Sequence, residues 1–349
     1  MGCPRRHEHQ VLQQMNEASW FPVDLHVPQR RFEMLTLGAE VLERSVFLDT
    51  RMHADLSAAR SLDADCVQVP RPERLGWLFH TSFCASTLLA RALHDPLDCM
   101  VLKEPLILRR LGDARHSGWP VPFRDLIEKS AWLLGRAWKP GGAVMVKPTH
   151  AALNIAVDSM ACTPGSRAVV LTSSLRDFLV SNIKKTSETQ DKIGLLAERA
   201  LRASAYHARL PAAAFSPPDM LCAAALQWAA QREVVADLLQ AAGPARVRVL
   251  DMDEMAQDLH SVVDTAAAWL GIDTGAARRR ARVDDVQSRN AKAVTAPYDF
   301  AQRERDVRML ESSFGRQLAH ALQWHEQHLQ AAMRPIAVNP ERHWRLMRA

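Results

Sequence analysis

The sequence predicts an α/β fold of three layers built on a mostly parallel central sheet. Three observations lead there. Short β-rich runs at 76–79, 99–102, 143–147, 168–172 and 247–250 alternate with helical stretches from residue 75 onward, the order that parallel strands with crossover helices require. Each run gives way to polar or charged residues, and ligands of open α/β sheets gather at those carboxyl ends. Finally, L-G-W-L-F-H-T-S-F-C-A-S-T-L-L-A-R-A-L at 75–93 joins a strand straight to a helix.

Within that junction, Gly76-Trp77-Leu78-Phe79 is long enough for a buried strand, and 80–85 is a loop of small and polar residues. Ser86 opens an amphipathic helix with Leu88, Leu89, Ala92 and Leu93 on one face. A strand that turns directly into a helix start offers free N–H groups and the positive end of a helix dipole. That is an anion site suited to phosphate or sulfate, and the hydroxyls of Ser82, Ser86 and Thr87 add donors. Both glycines and the lysine of GxxxxGK[ST] are missing, which argues against ATP or GTP.

The remaining elements follow in order. Residues 1–72 read as a helical or irregular lead-in that ends at Pro70-Arg71-Pro72. Residues 73–330 carry the α/β pattern, and 331–349 form a tail. A helical insertion occupies 191–242, where Pro217-Pro218-Asp219 starts a long Ala/Leu-rich helix around Trp228. It is expected to be scaffolding or an acceptor-binding wall.

Composition narrows the class. The chain has 349 residues, 48% hydrophobic and 24% charged, as in an ordinary globular enzyme. A net charge of +5 suits an anionic ligand. No basic run interleaves with aromatics, so nucleic-acid binding is not expected. Cys3, Cys66, Cys84, Cys99, Cys162 and Cys222 form no CxxC and no zinc spacing, which reads as reduced thiols in the cytoplasm. Met1-Gly2-Cys3 hints at lipidation, but Arg6 stands where a myristoylation motif has Ser or Thr. No apolar run reaches membrane-spanning length.

Taken together, three segments resemble the sulfotransferase superfamily, with this chain as a divergent, bacterial-type member. Ser86-Thr87-Leu88-Leu89 is similar to the S-T-L-L end of that family's 5′-phosphosulfate loop. A-V-V-L-T-S-S-L-R-D-F-L-V-S-N-I-K at 168–184 resembles its 3′-phosphate segment, with Ser181 at the serine position. V-R-V-L-D-M-D-E-M-A, ending in A-A-W-L-G, resembles the family's third segment, and the stretch from Pro297-Tyr298 to Trp324 its closing helix. The resemblance implies a P-loop-like fold and sulfuryl transfer from 3′-phosphoadenosine 5′-phosphosulfate (PAPS) to a hydroxyl of a small molecule or peptide. No metal is implied.

The resemblance also assigns roles. Ser82, Phe83, Cys84, Ala85, Ser86 and Thr87 would cradle the 5′-phosphosulfate. Ser173, Arg176, Ser181, Arg289 and Lys292 would surround the 3′-phosphate, and Lys147 in V-M-V-K-P-T-H would neutralise the transferring group. Lys103, also at a strand end, is a further cation on that rim. Glu104 and His150 are alternative bases for the acceptor proton, with Glu104 preferred. Cys84 and His80 read as packing residues. His325 and His328 lie one turn apart without a third metal ligand.

Two positions depart from the family. Phe83 and Ser173 stand where it carries cations, each worth roughly 1.5–3 kcal/mol as a charge-assisted contact. The departure leaves two other readings open. One is a noncatalytic or repurposed relative that binds an anionic ligand or partner. The other is transfer of a group such as phosphoryl from a different donor, with Asp251 and Asp253 as Mg²⁺ candidates.

Overall fold

The computed structural model describes residues 15–52, 54–288 and 300–336. Over 15–72 it corrects the expected helical or irregular lead-in. Three antiparallel strands, β1 (Trp20–His26), β2 (Arg31–Thr36) and β3 (Arg60–Asp63), form a meander in that order. In β2 the apolar Phe32 and Met34 alternate with Arg31 and Glu33, the period-2 signature of a half-buried strand. Pro22 hides the same signal in β1, where the register shifts between Pro22 and Asp24.

The meander shares its core with the rest of the chain, because Phe21, Phe32 and Met34 belong to one cluster with Trp77 and Phe79. Arg136 fastens it. Its buried guanidinium donates to the carbonyls of Met15 (2.6 Å), Glu17 (2.8 Å), Trp20 (2.5 Å) and Leu133 (2.8 Å). The segment between β2 and β3 lies along the main sheet. Leu48 N–H donates to the Lys103 carbonyl at 2.7 Å, and Leu106 N–H donates to the Leu48 carbonyl at 2.9 Å.

All five predicted runs are strands of one parallel sheet: β4 (Leu75–His80), β5 (Cys99–Lys103), β6 (Ala143–Lys147), β7 (Arg167–Thr172) and β8 (Val247–Asp251). Their order is β5-β6-β4-β7-β8. Every residue of β4, β5 and β6 is buried, as expected where helices cover both faces. Alternate residues serve opposite faces. Trp77, Phe79, Met100, Leu102, Val144 and Val146 point into one core. Leu78, Cys99, Val101, Ala143, Met145 and Val169 point into another.

Helices Leu106–His116, Phe123–Leu134 and Ala156–Cys162 cover the first face, and Ser86–Leu93 and Leu259–Leu270 cover the second. A third cluster joins helices Leu175–Ile183, Ile193–Arg202 and Met220–Ala242 to Phe300–His328. The predicted three-layer α/β class is therefore what the chain adopts. No described helix is long and apolar enough to cross a membrane. The chain runs from β4 to one side through β5 and β6, then crosses to β7 and β8. Its topological switch point lies at the carboxyl end of β4, where a ligand crevice is expected.

Candidate functional site

A cavity of about 700 Å³ opens at that switch point. Its floor is the loop after β4, with Phe83, Cys84, Ala85, Ser86, Thr87 and Leu88 all lining it. Phe83 and Ala85 adopt left-handed backbone, φ 59° and 58°. A side chain there costs about 1–2 kcal/mol, a strain of the kind that functional loops retain. Helix Ser86–Leu93 starts at this loop and has no side-chain cap; Leu88 N–H donates to the Ala85 carbonyl at 2.9 Å, and Ser86 and Thr87 of the first turn line the cavity.

The second wall comes from the ends of β5 and β6. Lys147 closes β6 and is fully buried; its Nζ donates to Glu104 Oε1 at 2.6 Å. Glu104 N–H donates to the Lys147 carbonyl at 2.7 Å, and Glu104 is left-handed at φ 58°. Backbone bond and ion pair together hold this strained residue. Burial opposes ionisation of Glu104, but the charge and hydrogen bond of Lys147, then His150 and Arg51, hold its carboxyl below the usual range. Arg51 Nη2 lies 3.9 Å from Glu104 Oε2.

Two imidazoles complete this wall, their ring centres 6.1 Å apart. His150 is pushed down to about 4 by burial and by the surrounding cations, with only Glu104 opposing. His80 is held well below its ordinary value by burial, Lys147 and His150. Both are neutral at pH 7. His80 Nδ1 donates to the Thr81 carbonyl at 2.9 Å, and its buried Nε2 has no partner. Cys84 is a thiol rather than a thiolate, because burial raises it to about 11. Its Sγ sits 3.1 Å from the Thr81 carbonyl, a packing arrangement.

The cavity brings together Phe83, Cys84, Ala85, Ser86, Thr87, Glu104 and His150, with Lys147 beneath them. Other predicted residues lie elsewhere. Ser82 is buried under helix Met220–Ala242, where Gln227 Nε2 (3.2 Å) and Gln231 Nε2 (3.1 Å) both donate to its hydroxyl. Ser173 is fully buried with no partner for its hydroxyl. Arg176 is exposed and donates to Glu311 at 2.7 Å. Ser181 sits half-buried on helix Leu175–Ile183. Lys103 turns away and donates to the Glu43 carbonyl at 2.9 Å. Arg289 and Lys292 lie outside the described residues.

Several lining residues carried no motif. Phe47, Asp49, Thr50 and Arg51 reach the cavity because the 47–51 segment lies along the end of β5. Arg109 and Arg110 come from helix Leu106–His116. Lys185 follows helix Leu175–Ile183 and places its Nζ 4.8 Å from the centre of the Phe83 ring. Only Lys185 had a signal in reach, one residue beyond the second family-like segment.

Outside the cavity lining, Asp219, Cys222 and His320 bring donor atoms within 4.8 Å of one another. Asp219 caps its helix by accepting Cys222 N–H at 2.8 Å and pairs with His320 Nδ1 at 3.0 Å. His325 is instead buried edge-on against Trp228, ring centres 5.5 Å apart.

No protein-family model matches the chain, and no curated protein sequence does. Solved structures do. A sulfotransferase from Alicyclobacillus acidocaldarius is 17% identical, covering 71% of this chain and 97% of its own, with a TM-score of 0.37. The sulfotransferase domain from the curacin biosynthetic pathway is 12% identical, covering 70% and 98%, at 0.43. A retinol dehydratase, solved in a complex with retinol and PAP, is 11% identical, covering 74% and 82%, at 0.38. These likenesses, all at low identity, are to structures of sulfotransferases and of a retinol dehydratase.

Proposed function

We propose that the chain is a transferase of sulfotransferase type that moves a sulfuryl group from PAPS to a hydroxyl of a small molecule or peptide. One observation carries the reading. The helix start after β4 and Glu104, ion-paired to the buried Lys147, line one cavity at the switch point of the sheet. The donor's 5′ end fits this set, because first-turn N–H groups and the Ser86 and Thr87 hydroxyls offer donors where an anion sits. When bound, PAPS supplies an activated sulfuryl group. Lys147 holds positive charge under the cavity as negative charge develops. Glu104, ionised and with Oε2 outside its bond to Lys147, takes the acceptor's proton. Neutral His150 is the second candidate for that step.

Among the described residues the 3′ end fits less well, and this favours a second reading. Ser173 is sealed from the cavity and Arg176 is committed to Glu311. A donor without a 3′-phosphate, or a noncatalytic anion-binding role, suits that geometry. Titration with adenosine 3′,5′-bisphosphate and with adenosine 5′-monophosphate separates the readings. Binding that depends on the 3′-phosphate supports PAPS, and equal affinities point to another donor. If neither nucleotide binds at millimolar concentration, the nucleotide reading fails. Where binding is seen, Glu104→Gln and His150→Asn tell the two bases apart by which one abolishes turnover.

A further inference from the structure

Two helices bring three different donor atoms to one point. Asp219 caps helix Met220–Ala242, Cys222 stands in its first turn, and His320 comes from helix Phe300–His328. The helices share an apolar cluster that includes Cys222, Ala225, Leu318 and Ala321, so their approach is fixed by packing. His320 Nδ1 lies 3.0 Å from Asp219 Oδ2 and 3.9 Å from Cys222 Sγ. Donors bonded to a tetrahedral zinc ion sit about 3.3–3.6 Å apart, a spacing that these two separations bracket. Asp219 Oδ1 accepts the Cys222 N–H at 2.8 Å, which leaves Oδ2 aimed at His320. Cys222 is fully buried at the base, while the side chains of Asp219 and His320 are 41% and 52% exposed, so an ion has a way in. Because 98 residues separate Cys222 from His320, no spacing in the sequence reveals the set.

We propose that Asp219, Cys222 and His320 form a zinc site that clasps these two helices, with a fourth position open to water. The donor set selects the metal. Thiolate and imidazole disfavour Mg²⁺ and Ca²⁺, which take oxygen ligands, and one sulfur, one nitrogen and one oxygen suit Zn²⁺. On binding, the Cys222 thiol gives its proton to solvent and the thiolate bonds the ion. The hydrogen bond between Asp219 and His320 gives way to two metal bonds, and the His320 ring keeps its proton on Nε2. The bond from Cys222 N–H to Asp219 Oδ1 remains and orients the ligating carboxylate. The site lies outside the cavity lining, so it stands apart from the donor reading. Its effect is on packing: it fastens helix Phe300–His328 to the helix whose Gln227 and Gln231 hold the Ser82 loop.

The test loads the full chain with one metal at a time. Wild type, Cys222→Ser, His320→Gln and Asp219→Asn, each freed of metal by a chelator, are titrated with Co²⁺ and with Zn²⁺. Thermal unfolding of each metal-free protein reports whether it is folded. Asparagine keeps the helix cap, so Asp219→Asn isolates the loss of the carboxylate ligand. Wild type is expected to take up Co²⁺ with the near-ultraviolet absorption of a cobalt–thiolate bond, and to unfold at a higher temperature with Zn²⁺ present. Cys222→Ser should lose that absorption. His320→Gln and Asp219→Asn should each weaken Zn²⁺ binding roughly 10- to 100-fold. Wild type without thiolate absorption, or absorption that persists in Cys222→Ser, overturns the site. If Cys222→Ser does not fold, the two half-exposed positions decide. Weaker Zn²⁺ binding in both His320→Gln and Asp219→Asn sustains the site, and unchanged binding in either overturns it.

Discussion

Lys147 ends β6 and Glu104 directly follows the neighbouring strand β5, and their side chains close a 2.6 Å ion pair at the base of the cavity. Lys147 is completely buried, so its charge depends on that one carboxylate. Removing a partner from such a pair is far worse than removing both, because it strands a charge. Glu104→Ala should therefore cost about 3 kcal/mol in urea unfolding. The apolar double variant Glu104→Leu with Lys147→Met should recover most of that loss. Turnover should be absent in both. A double variant as unstable as Glu104→Ala would show that the pair is not the source of the loss.

Buried histidines set the response to acid. His150 and His325 are pushed down to about 4 and His94 to about 3, each mainly by burial, and His80 shifts the same way. Unfolded imidazoles titrate near 6.5. Between pH 6.5 and 4 the unfolded chain takes up protons that the folded chain refuses, so stability falls as pH is lowered through that window. Glu104 acts later: its depressed carboxyl contributes stability above about 4.5 and loses it as pH falls further. Unfolding free energy measured from pH 7 to 4.5 should fall with a slope of roughly three protons. His325→Gln should reduce that slope by about one, and an unchanged slope would remove His325 from the account.

The parts of the fold carried by local signals were legible in the sequence. Runs of buried β-branched and aliphatic residues marked all five strands of the parallel sheet, and Ser86 marked its helix within a residue. The meander was missed because Pro22 interrupts β1 and β3 is only four residues long. In the site, residues tied to strand ends (Glu104, Lys147 and His150) were legible, because the order of strands fixes where their ends meet. Ser82 was misleading, since a hydroxyl in a small loop reads the same whether it faces a ligand or the amides of Gln227 and Gln231. Arg51 and Lys185 depend on packing between segments far apart in the chain, which spacing does not encode.

Arg136 links the start of the meander to the end of helix Phe123–Leu134. Four carbonyls surround its guanidinium, and burial pulls it down to about 10. Arg136→Met would leave several buried acceptors unsatisfied, at about 1–3 kcal/mol each where water does not enter. The expected result is a loss of at least about 2 kcal/mol, with faster proteolysis before residue 52. Because the 47–51 segment connects β2 to β3 of this meander, anion or acceptor binding at the cavity should weaken as well. Intact stability in Arg136→Met would show that the meander is held by its apolar contacts alone.

Ser82 and Ser86 sit four residues apart, and the structure gives them different work. The Ser82 hydroxyl accepts from two buried amides, and its N–H donates to Gln231 Oε1 at 3.1 Å. Ser82→Ala orphans both amide donors and should cost about 2 kcal/mol in unfolding, with anion affinity changed less than about twofold once the protein is folded. Ser86 lines the cavity at the first turn of its helix. Ser86→Ala removes a hydroxyl set beside the Cys84 thiol and leaves no buried amide unpaired, so stability should hold within about 0.5 kcal/mol. Its affinity for adenosine 3′,5′-bisphosphate should fall roughly 5- to 10-fold. Parallel urea unfolding and calorimetric titration of the two variants give the comparison. The reverse pattern, with affinity lost at Ser82 and stability lost at Ser86, would mean that the loop presents its other face to the ligand.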